Sequence, residues 1–100
     1  MSPEAYVRAE IKALLESVGA WVGATSQNRK SRLTPGFPDI LAALPRGCGW
    51  LAIEAKTTDG ISSLEQQALE TFCRLAGCPL VVGGKAEVYA YLQAVGLIGG

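Results

Sequence analysis

The chain has 100 residues, of which 49% are hydrophobic and 18% charged, so it has the size and composition of a single globular domain spanning residues 1–100. Its nine basic residues balance its nine acidic residues, and this neutral balance gives no support to nucleic-acid binding as a bulk property. The sequence contains no histidine, which excludes the common zinc sites and the Ser-His-Asp and Cys-His catalytic arrangements. Any catalysis must therefore use carboxylates, lysine, tyrosine or a hard metal ion.

The apolar segments and the cysteines favour a cytoplasmic protein that does not contact a membrane. No apolar run approaches the ~18 residues that a membrane span requires, and the N-terminus lacks the layout of a signal peptide. The three cysteines form no CxxC pair, and we expect them to be small core residues in a reducing compartment.

The first third of the chain is predicted to contain a helix, a strand and a loop. Ser2 is a candidate N-cap, Pro3 suits the first helical position, and Gly19 is a natural stop. Between them, apolar residues recur at helical spacing, namely Val7, Ile11, Leu14, Leu15 and Val18. The run "AWVGA" predicts a first strand, and the many turn formers in "TSQNRKSRLTPG" predict a loop.

The rest of the chain is predicted to contribute three strands and two helices. The runs "DILAAL" and "WLAIEAK" predict the second and third strands, separated by the turn "PRGCG". A helix is predicted from about Ser63 to Ala76, ending at Gly77, followed by a fourth strand, "LVV", and a last helix, "KAEVYAYLQAV". The order α-β-β-β-α-β-α predicts an α/β fold with one mixed sheet flanked by helices.

Three charged residues lie at the ends of the second and third strands. Asp39 begins the second strand, and Glu54 and Lys56 end the third strand on one of its two faces. Because the connecting turn is short, we expect an antiparallel hairpin that brings Asp39 beside Glu54 and Lys56. Two adjacent carboxylates repel each other unless a cation lies between them, which favours a hard divalent ion, Mg²⁺ or Mn²⁺.

The third strand also offers neighbours for such an ion. The backbone carbonyl of Ala55 is a candidate ligand, and Lys56 would orient the attacking water or stabilise charge developing on a phosphate. The alternative interpretation is a surface salt bridge between Glu54 and Lys56, because a lone Glu-x-Lys is very common.

The helix after the third strand contains two adjacent glutamines. With ~100° per residue, its apolar face is set by Leu69, Phe72, Cys73 and Ala76. Gln66 lies at the edge of that face and towards the sheet, where it would hold Lys56 or a substrate phosphate, whereas Gln67 points into solvent. An ordinary polar residue in a first helical turn is an equally good interpretation of Gln66.

The first helix presents a choice between two glutamates. Glu4 projects onto the centre of the apolar stripe, close to the direction of Ile11, while Glu10 projects onto its flank. We therefore favour Glu4 over Glu10 as an additional carboxylate near the metal, although a favourable interaction with the helix dipole explains Glu4 as well.

The loop before the second strand carries Arg29, Lys30 and Arg32, and residues 29–32 are termed the basic loop. Such a run is either a solvated loop or a set of phosphate contacts beside the predicted metal site, and its composition alone favours neither interpretation.

Taken in order, "PGFPD", "WLAIEAK" and "GISSLEQQALETF" resemble the VRR-NUC branch of the PD-(D/E)XK nucleases, most closely its minimal stand-alone members from phages and bacteria. The resemblance implies a restriction-endonuclease-like core. It also implies that Asp39 and Glu54 are metal ligands, Lys56 the catalytic lysine, Gln66 the motif glutamine and Glu4 the N-terminal carboxylate. The sequence departs from the family pattern where Ser62-Ser63 replaces a Leu-Ser pair, and a basic residue is absent from "AWVGA".

The resemblance further implies a Mg²⁺-dependent nuclease, in which Mn²⁺ can substitute for Mg²⁺. Its implied substrate is branched DNA, such as a Holliday junction or a flap. Its implied location is the cytoplasm of a bacterial or phage-infected cell. The basic loop would then bind DNA phosphates. The alternatives are a restriction-like endonuclease with a sequence preference, a DNA-binding module with a relict site, and a purely structural α/β interaction domain.

A homodimer is also expected. One metal site cuts one strand, whereas resolving a four-way junction requires two cuts, and a symmetric dimer would pair two sites. The apolar tail "VGLIGG" is expected to be left uncovered within one chain and to favour such an interface.

Overall fold

The computed structural model describes residues 2–25 and 33–99 of the chain. In these ranges it confirms the predicted element order, which is α1 (Pro3–Ser17), β1 (Trp21–Ala24), β2 (Ile40–Leu44), β3 (Gly49–Ala55), α2 (Leu64–Ala76), β4 (Leu80–Gly83) and α3 (Lys85–Ala94). None of the helices formed by the described residues is long and apolar enough to cross a membrane.

The strands form one mixed sheet in the order β1-β2-β3-β4. β1, β2 and β3 are antiparallel neighbours, and β4 adds to β3 in the parallel direction through the crossover helix α2. Ile40 of β2 pairs with Ile53 of β3, which pairs in turn with Val81 of β4. The predicted α/β class and the predicted hairpin of β2 and β3 are therefore confirmed.

The helix boundaries follow local sequence signals. The Ala5 N–H donates to the Ser2 side chain at 3.2 Å, so Ser2 is the N-cap of α1 as predicted. Ser63 caps α2, and Gly77 ends it in the left-handed conformation with φ of 74°, where a residue without a Cβ is favoured.

The hydrophobic core lies between one face of the sheet and the helices α1 and α3. β3 shows the predicted alternation, since Leu51, Ile53 and Ala55 are buried on this face. The other buried apolar residues of the core are Ile11, Leu15, Ile40, Ala42, Leu44, Val81, Val88 and Leu92.

The opposite face of the sheet, which carries Glu54 and Lys56, is covered in part by α2. The prediction that Phe72 and Ala76 form the sheet-facing side of α2 is wrong, because Phe72 is 71% exposed and Ala76 is also exposed. The buried residue of α2 is Gln66. Since the strand below the helix presents charged groups, polar side chains of the helix are the ones that turn towards it.

The expected exposure of the tail is also wrong. Leu97 and Ile98 pack on the core, and their N–H groups donate to the Leu92 carbonyl at 2.9 and 3.3 Å. The Arg46 guanidinium donates to the Gly96 carbonyl at 3.0 Å. The chain thus folds back beyond α3 and covers the tail locally.

The expectation that all the cysteines are core residues is wrong as well. Cys78 is exposed, and Cys48 and Cys73 are only partly buried. Cys78 directly follows Gly77, the exposed residue that ends α2, and therefore lies at the surface and not in the core.

Candidate active site

The hairpin of β2 and β3 places Asp39 directly beside Glu54. The antiparallel pair Ile40–Ile53 puts Asp39 opposite Glu54 at the next step of the ladder. Asp39 is buried, and its Oδ2 accepts a hydrogen bond from the Ala55 N–H at 2.9 Å. Its backbone carbonyl accepts from the Thr25 N–H at 3.1 Å. The aspartate is therefore held by both neighbouring strands.

The turn ahead of Asp39 is held closely against α2. Gly36 has φ of +87°, and a Cβ at this position would lie 2.5 Å from the Glu65 carbonyl oxygen. Any side chain here would push the turn away from the helix. Gly36 thus sets the approach of the chain to Pro38 and Asp39.

The backbone of Ala55 is suited to the ligand role predicted for its carbonyl. In a strand the N–H and the C=O of one residue point to the same side. The Ala55 N–H points towards β2, where it donates to Asp39, so the Ala55 carbonyl points towards β2 as well. If the register is continued two steps beyond the pair Ile40–Ile53, Pro38 falls opposite Ala55. Proline has no N–H, so the ladder supplies no donor to this carbonyl oxygen. The oxygen is compatible with a role as a metal ligand.

Glu54 is the most unusual side chain of the site. It is 0% exposed, and neither carboxylate oxygen has a hydrogen-bond partner among the described residues. Burial, together with the neighbouring Glu70 and Asp39, raises the pKa of Glu54 to about 7, and Lys56 opposes this rise. In these surroundings a buried carboxyl group is stable only if it takes up a proton or, when ionised, is paired with a cation.

Lys56 is held in place by Gln66, a contact that was one of the possibilities left open by the sequence. The Lys56 ammonium donates to Gln66 Oε1 at 2.8 Å, and the Ser63 N–H donates to the same oxygen at 3.0 Å. Gln66 therefore closes the capping box of α2 and orients the lysine at once. Gln67 is exposed and donates to the Ser62 carbonyl at 2.9 Å, so it does not reach Lys56. The catalytic roles of Lys56 and Gln66 stay predictions.

The two glutamates of α1 differ in their surroundings. Glu4 is exposed in the first helical turn, because the fully buried part of α1 begins only at Ile11. Glu10 is exposed too, but it lines a cleft of about 500 Å³ together with Lys56. The role of Glu4 as a metal ligand stays a prediction. The basic loop, with Arg29, Lys30 and Arg32, lies outside the described residues, and its DNA contacts stay a prediction too.

Sequence reasoning missed Glu70. Its carboxyl group lies close enough to Glu54 to hydrogen bond when one of the two is protonated, and its buried Oε2 has no partner among the described residues. The signal was the helical spacing, because Glu70 lies four residues after Gln66 and so shares its face.

The donor set fits a hard divalent cation. No three side chains of His, Cys, Asp or Glu within residues 2–25 and 33–99 form a ready-made metal cluster. Asp39, Glu54 and the Ala55 carbonyl would supply oxygen ligands only, and Mg²⁺ is typically held by one or two carboxylates while it keeps several waters. The buried, unbonded oxygens of Glu54 are the feature that such an ion would satisfy.

The comparisons with known proteins concern the fold. A solved structure described as a VRR_NUC domain superposes with a TM-score of 0.75 at 24% identity, covering 94% of this chain and 97% of its own. A structure of Archaeoglobus fulgidus Hjc, a Holliday junction resolvase from an archaeal hyperthermophile, is 30% identical over 75% of this chain and 63% of its own, with a TM-score of 0.47. No family model and no curated sequence matches the chain. The chain thus has the fold of a VRR_NUC domain, as the sequence resemblance implied.

Proposed function

We propose that this protein is a Mg²⁺-dependent, structure-selective DNA endonuclease of the VRR-NUC type. The observation that carries the proposal is the Glu54 carboxylate, fully buried and without a hydrogen-bond partner among the described residues, between Asp39 and Lys56. A residue used only in a surface salt bridge would be exposed to water. The VRR_NUC fold and the ordered sequence motifs support the same activity.

Each residue of the site has a distinct task in phosphodiester hydrolysis. Asp39, Glu54 and the Ala55 carbonyl would hold the cation, which would supply charge neutralisation and lower the pKa of a bound water. Lys56, fixed by Gln66 at 2.8 Å, carries a positive charge at the position where a phosphate develops negative charge. The cleft of about 500 Å³ beside Lys56, which Lys85 also lines, is the proposed position of the DNA backbone.

The proposed substrate is branched DNA, either a Holliday junction or a flap, as the sequence resemblance implies. The basic loop would bind phosphates on the approach to the site. This binding is independent of base sequence, because contacts to the phosphate backbone carry no sequence information.

The test is cleavage of labelled duplex, single-stranded, flap and four-way-junction DNAs in Mg²⁺, Mn²⁺ or EDTA. We expect metal-dependent cutting near the branch point, lost in Asp39→Asn and kept in Glu65→Gln, which removes an exposed carboxylate of α2. Cutting of plain duplex at fixed sequences would replace the proposal with a restriction-like enzyme. Branched-DNA binding without any cutting would leave a DNA-binding module.

We further propose that the enzyme is a homodimer. The C-terminal tail is covered within one chain, so the proposed interface is instead an exposed apolar band, formed by Trp21, Trp50 and Phe72 together with the cleft-lining Phe37 and Pro38. Trp21 and Trp50 pack edge to face with centroids 6.2 Å apart and are 61% and 58% exposed. Phe37 and Pro38 line two adjoining clefts, one beside Trp21 and the other beside the exposed Phe72. A contiguous apolar surface of this kind is typical of an interface.

Light scattering after size-exclusion chromatography tests the dimer. We expect twice the chain mass at low micromolar concentration, and a monomer for the double variant Trp21→Ser, Phe72→Ser. Tyr6→Ser removes an aromatic ring that is 60% exposed on α1 and serves as the control. A monomeric wild type would leave a single-site flap nuclease.

A further inference from the structure

We propose that Glu70 joins Glu54 in holding the divalent cation, as a further ligand residue supplied by α2. The inference rests on the proposed function, since it assigns a residue to the metal site of that nuclease. It goes beyond the family resemblance, which assigns no role to Glu70 although this residue lies within the segment "GISSLEQQALETF".

The spacing of helix and strand brings two pairs of side chains together. Gln66 and Glu70 lie four residues apart on α2, a rise of about 6 Å, and Lys56 and Glu54 lie two residues apart along the β3 chain, a rise of about 6.6 Å. The Gln66–Lys56 hydrogen bond of 2.8 Å sets the register of the first pair. The nearly equal rises then place Glu70 beside Glu54, where the two carboxyl groups interact.

Three of the four oxygen atoms of this pair have no hydrogen-bond donor in the part of the chain that the structure describes. Both oxygens of Glu54 and Oε2 of Glu70 are buried and accept no hydrogen bond from the described residues. The Lys56 ammonium, at the end of the same strand as Glu54, donates to Gln66. Two carboxylates in this arrangement repel each other, and burial strengthens the repulsion.

A hard cation removes that cost, because it binds oxygen ligands from both side chains at once. Glu54 then has a carboxylate neighbour on either side, Asp39 from the hairpin and Glu70 from α2. The donors are all oxygens, which suits Mg²⁺ or Mn²⁺ and disfavours softer ions. Because Glu70 lies on the crossover helix, binding of the cation would also tie α2 to the sheet.

Direct measurement of metal affinity tests the inference without any DNA. Mn²⁺ binding is followed by electron paramagnetic resonance, and Mg²⁺ binding by calorimetry, at pH 8. We expect Glu70→Gln to weaken the affinity by about tenfold or more. Glu65→Gln removes the same charge from an exposed position of the same helix and should leave the affinity nearly unchanged.

Glu70→Asp separates ligation from a simple effect of charge. This variant keeps the negative charge but withdraws the oxygens by about the length of one carbon–carbon bond, ~1.5 Å. If Glu70 binds the cation, Glu70→Asp weakens the affinity as well. Unchanged affinity in Glu70→Asp, with reduced affinity in Glu70→Gln, would overturn the inference because charge alone would account for it.

Thermal unfolding in EDTA supplies a second readout. Glu70→Gln should raise the unfolding midpoint of the metal-free protein, because it relieves the repulsion of Glu54, and should reduce the further rise that Mg²⁺ produces. If Asp39→Asn and Glu54→Gln lose metal binding while Glu70→Gln keeps it, Glu70 is not a ligand and the proposed nuclease site stands. If all three variants keep full affinity, the proposed metal site itself is refuted.

Discussion

Glu54→Gln should stabilise the metal-free protein at pH 8 and have progressively less effect towards pH 5. The folded protein raises the pKa of Glu54 from 4.5 to about 7, chiefly through burial. With ~1.4 kcal/mol for each pKa unit, the ionised carboxylate destabilises the folded state by roughly 3 kcal/mol. The glutamine carries no charge, and its amide N–H can donate to the neighbouring Glu70.

The sign of the pH dependence follows from proton linkage. Between pH 4.5 and about 7 the folded protein holds the Glu54 proton more tightly than the unfolded chain does. Folding stability therefore falls as the pH rises through this window and levels off above it. The difference between the wild type and the variant therefore reports Glu54 together with its electrostatic interactions with Glu70 and Asp39.

Thermal or urea unfolding in EDTA at several pH values measures this difference. At pH 8 the variant should melt more than about 10 °C above the wild type, given ~4–8 °C per kcal/mol for a domain of this size. Saturating Mg²⁺ should close or reverse the gap, because only the wild type gains from the ion. A wild type that is more stable than the variant in EDTA at pH 8, or a gap that does not change with pH, would refute the reasoning.

Three further outcomes are expected. Asp39→Ala should abolish metal-dependent cleavage, whereas Lys56→Ala should keep metal binding and lose most turnover. Calorimetry measures the metal binding and a cleavage assay measures the turnover. If Lys56→Ala loses metal binding but keeps turnover, Lys56 is structural. Gln66→Ala should slow cleavage and lower the free energy of unfolding by about 1 kcal/mol, because it removes both the contact with Lys56 and the capping box of the helix. Gln67→Ala is the matched control. Equal effects of the two substitutions would exclude a role of Gln66 in positioning Lys56. Replacing all three basic residues of the basic loop should flatten the slope of log K against log salt by about three units, and an unchanged slope would mean that the loop is merely solvated.

Much of the site could be predicted because it depends on short-range features of the chain. The hairpin of β2 and β3 follows from two apolar runs joined by a short turn, and antiparallel pairing then brings Asp39 to Glu54. The alternation of side chains along β3 places Glu54 and Lys56 on one face. The contact between Gln66 and Lys56 was one of the possibilities that the sequence left open for Gln66, and the structure shows this contact.

Other features depend on contacts between parts of the chain that are distant in sequence. The amphipathic pattern of α2 is real, but its direction depends on the charged strand face beneath it, so Gln66 and Glu70 turn inward and Phe72 outward. In the same way, the tail is covered because residues after α3 fold back on Leu92 and meet Arg46. Periodicity reports the spacing of side chains along one element, whereas the partner of each face is decided by packing. The sequence alone thus determined the elements, their order and the meeting of Asp39 with Glu54, and only the tertiary structure revealed Glu70 and the exposed apolar band.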